Sequence, residues 1–113
     1  MNLQDYLKCA YEALDDKKGE NIKILQISEL TTIADYMIIT NGNSPSQVKA
    51  LADNVDEKLH LAGIDPRSIE GARSDRWVLM DYGDIIIHIF SKDDREFYNI
   101  ERIWSDAKEI EID

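Results

Sequence analysis

Cysteine, histidine and long apolar runs are scarce in this sequence, and each shortage excludes a class of protein. The chain of 113 residues has one cysteine, Cys9, so no disulfide can form within it, and a reducing, cytoplasmic setting is expected. No apolar run is long enough to span a bilayer, and the first residues lack the basic and apolar regions of a signal peptide. We therefore expect neither a disulfide-bonded secreted protein nor a membrane protein.

The same shortage argues against a metal centre. The only histidines, His60 and His88, lie far apart, and neither a CxxC nor an HxxxH pattern occurs. Cys9 or a serine beside His88 would suit nucleophilic catalysis, but no spacing in the sequence brings such a pair together. We predict no metal site, no cofactor and no catalytic residues.

Positive charge is also in short supply. Aspartate and glutamate number 23 against 13 lysines and arginines, which gives a formal net charge of -10. Non-specific affinity for nucleic acid comes from cations that displace counterions, so direct nucleic-acid binding is disfavoured. A surface this acidic either serves solubility or speeds association with a basic protein.

What is present predicts a single α/β domain over residues 1–113. Apolar residues make up 43% of the chain, enough for one core. The expected order is α, β, β, α, β, β, β, α, a mixed sheet of about five strands with flanking helices. The predicted segments, in chain order, are 2–15, 22–27, 36–40, 45–62, 67–70, 77–82, 85–90 and a helix from about 91. Residues 106–113 are expected to be a variable, frayed tail.

Ser44 gives the clearest local signal, because Pro45 and Gln47 follow it in a capping-box pattern that predicts the start of the second helix. Gly63 is the expected stop. The loop from Thr40 to Ser44 joins a strand to a helix and could cradle phosphate, but it carries no lysine.

Gly83-Asp84 predicts a tight turn between two strands, and this turn fixes their register. One face of the hairpin then holds a core set, which is Val78, Met80, Tyr82, Ile85, Ile87 and Ile89. The other face pairs Trp77 with Phe90, Leu79 with His88, and Asp81 with Ile86. If helices cover both faces, the second set is core. If they do not, its rings form an apolar patch that marks a protein partner.

The last helix has two overlapping patterns. Phe97, Ile100 and Trp104 predict an apolar stripe. Arg95, Tyr98 and Arg102 are spaced to share a second stripe, and arginine and tyrosine are enriched at binding hot spots. The alternative is a solvated helix face with local ion pairs.

Three hypotheses for function follow: a binding module, a small nucleotidyltransferase-type enzyme, and a dimeric regulatory module for another basic protein. The enzyme needs carboxylates that converge on a metal ion. After Ser44 the next acids are Asp53 and Asp56, well along the helix, so catalysis is disfavoured.

Two segments resemble the ribosomal silencing factor family, also called the Iojap or RsfS family. The first is 34–44, ADYMIITNGNS. The second comprises Glu70-Gly71, then 77–90, WVLMDYGDIIIHIF, then 95–101, REFYNIE, and Trp104. The resemblance covers nearly the whole chain, and its main departures are Ile100 and Ile103, where leucine is common.

This resemblance implies a nucleotidyltransferase-like fold used for binding. Family members bind the large ribosomal subunit through the basic ribosomal protein uL-fourteen, block joining of the small subunit and lower translation when nutrients are short. Free members often form homodimers. The family's partner-binding surface carries over onto Trp77, Met80, Asp81, Tyr82, His88, Phe90, Arg95 and Tyr98. Met80 and Tyr82 conflict with the hairpin register, which places them on the isoleucine face.

Overall fold

A computed structural model, which describes residues 2–112, shows a six-stranded mixed sheet with helices on both faces. The helices are α1 Leu3–Asp16, α2 Pro45–Leu61, α3 Lys92–Tyr98 and α4 Ile100–Ile103. The strands are β1 Glu20–Gln26, β2 Tyr36–Gly42, β3 Ser68–Glu70, β4 Trp77–Asp81, β5 Ile85–Ser91 and β6 Lys108–Ile110. The α/β class is confirmed, with one strand more than the five expected. Of the helices in this part of the chain, none combines the length and apolarity needed to cross a membrane.

The central strands carry the most continuous apolar sequence. The spatial order is β3-β4-β5-β2-β1-β6, with β2 and β5 parallel and all other neighbours antiparallel. Every residue of β2 is buried. A strand covered on both faces does not alternate apolar and polar residues, which explains the unbroken apolar run at 36–39.

Two long helices close the first face of the sheet. Asn2 caps α1 in a reciprocal capping box with Asp5, and Ser44 accepts a hydrogen bond from the backbone N–H of Gln47 at the start of α2. The Gln47 side chain accepts from Asn43 instead of from Ser44, so only half of the predicted capping box forms. Both helices bury their apolar stripes in one core with the isoleucine face of the β4–β5 hairpin, on which α2 packs directly while α1 packs on α2 and β1.

The hairpin has the predicted register. Trp77 pairs with Phe90, and Leu79 pairs with His88. Gly83 has φ +84°, a left-handed conformation that glycine adopts without strain. The second face is therefore the one that carries the rings, as the sequence indicated.

The C-terminal segment differs from prediction in two ways. Residues 108–110 of the tail are not frayed, because β6 pairs antiparallel with β1 and Ile110 packs against the core. The last helix is not continuous, because Asn99 has φ 43° and separates α3 from α4. The helical stripe predicted through this point is therefore wrong: Ile100 and Trp104 pack on the second face of the sheet, whereas Phe97 is 79% exposed.

Candidate protein-docking site

Four rings meet on the second face, where β4, β5 and α3 come together. We call Trp77, His88, Phe90 and Tyr98 the ring cluster. The Trp77 ring centroid lies 4.8 Å from Phe90 and 4.9 Å from Tyr98. The His88 and Phe90 rings are nearly parallel, with an interplanar angle of 9°. Tilted and offset contacts at these distances are favourable for aromatic pairs, so the cluster is a packed unit.

The solvent exposure of the four rings increases from one side of the cluster to the other. Phe90 is fully buried and His88 is 6% exposed, whereas Trp77 is half-buried and Tyr98 is 47% exposed. Phe97 extends the open side, with its ring edge-on to Tyr98 at 5.0 Å. The buried rings thus support an outer layer formed by Trp77, Tyr98 and Phe97.

His88 holds the Trp77 ring in place. The Trp77 Nε1–H donates to His88 Nδ1 at 3.1 Å. Burial lowers the pKa of the His88 imidazole to about 4. At neutral pH the ring is therefore uncharged, and Nδ1 is free to accept this bond.

Arg95 fixes the helix that carries Tyr98. Its Nε donates to Glu101 at 2.8 Å, and its Nη1 donates to Asn41 at 2.9 Å and to the backbone oxygen of Glu20 at 3.1 Å. Burial alone would raise the pKa of Glu101, but the hydrogen bond and charge of Arg95, together with the nearby lysine of β1, outweigh it and lower that pKa. These contacts tie α3 and α4 to the end of the sheet.

A second ion pair anchors the start of α3. Arg76 makes a two-pronged contact with Asp94, with its Nη2 at 2.7 Å and its Nε at 3.2 Å from Asp94 Oδ1. Asp94 is buried and Arg76 is largely exposed. This pair fixes the first turn of α3 beside the strand that carries Trp77.

The structure divides the eight predicted contact residues into three groups. The residues that keep accessible surface are Trp77, Asp81 and Tyr98. The residues that are buried and act through hydrogen bonds are His88 and Arg95. The residues buried in the two cores are Met80, Tyr82 and Phe90, and their contact with a partner stays a prediction. Met80 and Tyr82 lie on the face covered by α1 and α2, as the hairpin register required.

Asp81 serves the hairpin turn. Its Oδ1 accepts a hydrogen bond from the Gly83 N–H at 2.8 Å. An aspartate that bonds the backbone two residues ahead stabilises a turn. This local bond gives Asp81 a structural role in the turn.

The described residues bring together neither a metal-ion cluster nor the Cys9–His88 pair considered from the sequence. No three side chains among the His, Cys, Asp and Glu of residues 2–112 approach closely enough to hold a metal ion. Cys9 lies in α1, beside the backbone oxygen of Lys58 in α2, at the edge of the core on the first face, whereas His88 belongs to the ring cluster on the second. The geometry around the rings is that of an apolar surface with fixed side chains.

A family model described as "Ribosomal silencing factor during starvation" matches residues 1–113. The chain belongs to the ribosomal silencing factor family. It is 41% identical over 113 residues to ribosomal silencing factor RsfS of Bacillus subtilis, covering 100% of this chain and 96% of that protein. It is 44% identical to RsfS of Chromobacterium violaceum over 96% of this chain and 88% of that one.

A crystal structure and a distant relative extend the likeness. The crystal structure of a Chromobacterium violaceum protein, at 44% identity, has a TM-score of 0.90 and covers 93% of this chain and 88% of that chain. A mouse protein, "Mitochondrial assembly of ribosomal large subunit protein 1", is 28% identical over 81% of this chain and 42% of its own length. The silencing factor family is regulatory by name, and this chain has its fold.

Sequence reasoning missed the surface position of Phe97 in this silencing factor. The helical spacing of Phe97 with Ile100 and Trp104 predicts one shared stripe, which the structure does not form. The available signal was Asn99, since asparagine tolerates the left-handed region better than most residues. A helix that ends at Tyr98 leaves Phe97 outside the stripe.

Proposed function

We propose that this chain binds the large ribosomal subunit through the basic protein uL-fourteen, sterically blocks joining of the small subunit and represses translation under nutrient limitation in the cytoplasm. One observation carries the proposal: the Trp77 and Tyr98 side chains are partly exposed and pack on buried rings, in a strongly acidic protein. Large rings already held in place lose little conformational freedom on binding, so they make effective anchors.

Charge supports a basic partner. With a net charge of -10, the protein is attracted over a distance to a basic surface and repelled by exposed phosphate. Apolar anchors would supply affinity, and charge would supply association rate. A ribosomal protein with an accessible basic surface fits both requirements.

The relatives' names support the same target. The family description refers to starvation, and the mouse relative's name refers to assembly of the ribosomal large subunit. Neither name specifies uL-fourteen, which rests on the family resemblance.

We also propose that the free chain forms a homodimer. The α3–α4 segment leaves Phe97 and Ile103 largely exposed, at 79% and 72%. Apolar surface of this kind favours self-association in the absence of another partner. If the second copy covers the ring cluster, dimer formation and ribosome binding compete, and dilution favours ribosome binding.

Separation of ribosomal particles on a sucrose gradient tests the proposal. The purified chain is mixed with large subunits, small subunits and intact ribosomes. We expect it to travel with the large subunit and to reduce the formation of intact ribosomes from added subunits. Migration with intact ribosomes, or only at the top of the gradient, would contradict the proposal.

A further inference from the structure

We propose that a pocket beside Trp77 receives one cationic side chain, lysine or arginine, from the protein partner. This inference rests on the proposed function and names the chemistry that the docking site recognises. The pocket has a volume of about 240 Å³ and is lined by Glu70, Gly71, Trp77 and Leu79.

The sheet places three of these side chains on the same face. Glu70 of β3 pairs with Leu79 of β4, so the two point the same way, and Trp77 lies two residues before Leu79. Gly71 has φ +71°, and a Cβ there would overlap the backbone oxygen of Trp77. Glycine is thus required where the chain leaves β3, at the wall of the pocket.

The size of the pocket fits one long side chain. Sites for whole small molecules occupy about 300–1,000 Å³. A space of about 240 Å³ between a tryptophan and a leucine is smaller than this. It suits the methylene stem of an amino-acid side chain better than a cofactor.

The negative charge of Glu70 at this pocket favours a side chain that ends in a cation. Among residues 2–112, no lysine or arginine lies within ion-pair distance of Glu70, which is exposed. Arg76, the cation next to Trp77 in sequence, is paired with Asp94. A lysine or arginine whose stem lies on Leu79 would bring its cation to the Glu70 carboxylate and to the Trp77 ring, both of which attract it.

The same arrangement disfavours RNA, the other partner that stacks on tryptophan. A base can stack on any exposed ring, but its phosphate would lie near the Glu70 carboxylate and be repelled. Removing the charge of Glu70 therefore has opposite effects on the two partners. It weakens the binding of a cation and strengthens the binding of an anion.

The experiment measures the dissociation constant for purified large ribosomal subunits, using the full chain labelled at its N-terminus. The variants are Glu70→Gln and Glu70→Lys. Glu57→Gln is the matched control, because Glu57 is exposed on α2, which packs on the opposite face, and its loss changes the net charge equally. We expect Glu70→Gln to weaken binding roughly tenfold, Glu70→Lys to weaken it further, and Glu57→Gln to change it less than about twofold.

Each outcome supports or overturns the assignment. Tighter binding by Glu70→Gln would identify an anionic occupant and overturn it. Equal effects of Glu70→Gln and Glu57→Gln, with normal binding by the unmodified chain, would overturn the pocket assignment and leave the proposed function standing. Failure of the unmodified chain to bind large subunits would overturn both.

Discussion

The two faces of the sheet are covered by very different lengths of helix. The first face is closed by α1 with 14 residues and α2 with 17. The second face has only α3 with 7 residues and α4 with 4, separated by the left-handed residue Asn99. The central strands are apolar on both faces, so their own sequence does not decide what is exposed. The covering segments decide it, and the short one leaves rings accessible.

Apolar residues on the two faces of the sheet therefore have different roles. An apolar side chain on the first face contributes to folding. A ring at the outer edge of the second face is available for binding, because its inner neighbours already form the core. Substitutions on the two faces should therefore separate stability from affinity.

The largest expected effect is a loss of stability from the closed face. Leu51 of α2 is fully buried in the core between the helices and the sheet. Leu51→Ala leaves a cavity and should lower the free energy of unfolding by about 3 kcal/mol. Leu61→Ala on the same helix is the control, since Leu61 is 73% exposed and its truncation should cost no more than about 0.5 kcal/mol. Urea unfolding measures both values, and equal losses would contradict this account of the first face.

The next effect concerns the hydrogen bonds of Arg95, which anchor α3 on the second face of the sheet. Arg95→Met keeps the stem but leaves the Asn41 oxygen without its charged donor and leaves Glu101 with Lys23 as its remaining cation. We expect unfolding to become easier by about 2 kcal/mol, less than for a fully enclosed pair, because Glu101 is partly exposed. Arg102→Met, which changes an exposed arginine of α4, is the control in the same urea titration. A loss no larger than that of the control would show that Arg95 does not anchor α3.

The smallest expected effect is on the pH dependence of the free energy of unfolding, to which His88 and His60 should contribute in opposite directions. The pKa of His88 falls from 6.5 to about 4 on folding, so the unfolded chain binds more protons between these values and stability declines as the pH falls through them. From pH 6.5 to 5 this residue should remove about 1.5 kcal/mol, and His88→Gln should flatten that part of the curve.

His60 is the control for this titration. It lies exposed on α2, and its hydrogen bond to Asp65 raises its pKa. A raised pKa adds stability at low pH that is lost as the pH rises, so His60→Gln should keep or slightly steepen the acid loss. Equal curves for His88→Gln and the unmodified chain would contradict the neutral, buried state of His88.

The register of the β4–β5 hairpin could be predicted because its signals are local. Alternating side chains and Gly83 fix which residues face each other, and this placed Trp77 opposite Phe90 correctly. The covering of each face could not be predicted in the same way. It depends on where α3 ends, and one left-handed residue decides that.

The missed features depend on contacts distant in sequence. The family resemblance places Arg95 at a partner, but its acceptors include Glu20, which is 75 residues away, and Asn41, which is 54 residues away. No periodicity reports such contacts. The strand β6 was missed for the same reason, because its three residues form a strand only by pairing with β1.

The central claim, that the open rings serve binding and not folding, is tested most directly by comparing affinity with stability. The dissociation constant for large ribosomal subunits and the thermal unfolding midpoint are measured for Trp77→Ala, Tyr98→Ala and the control Leu61→Ala. We predict that each ring variant binds roughly thirtyfold more weakly, about 2 kcal/mol, while the control binds normally and all three remain folded. Unchanged affinity of both ring variants would contradict the claim.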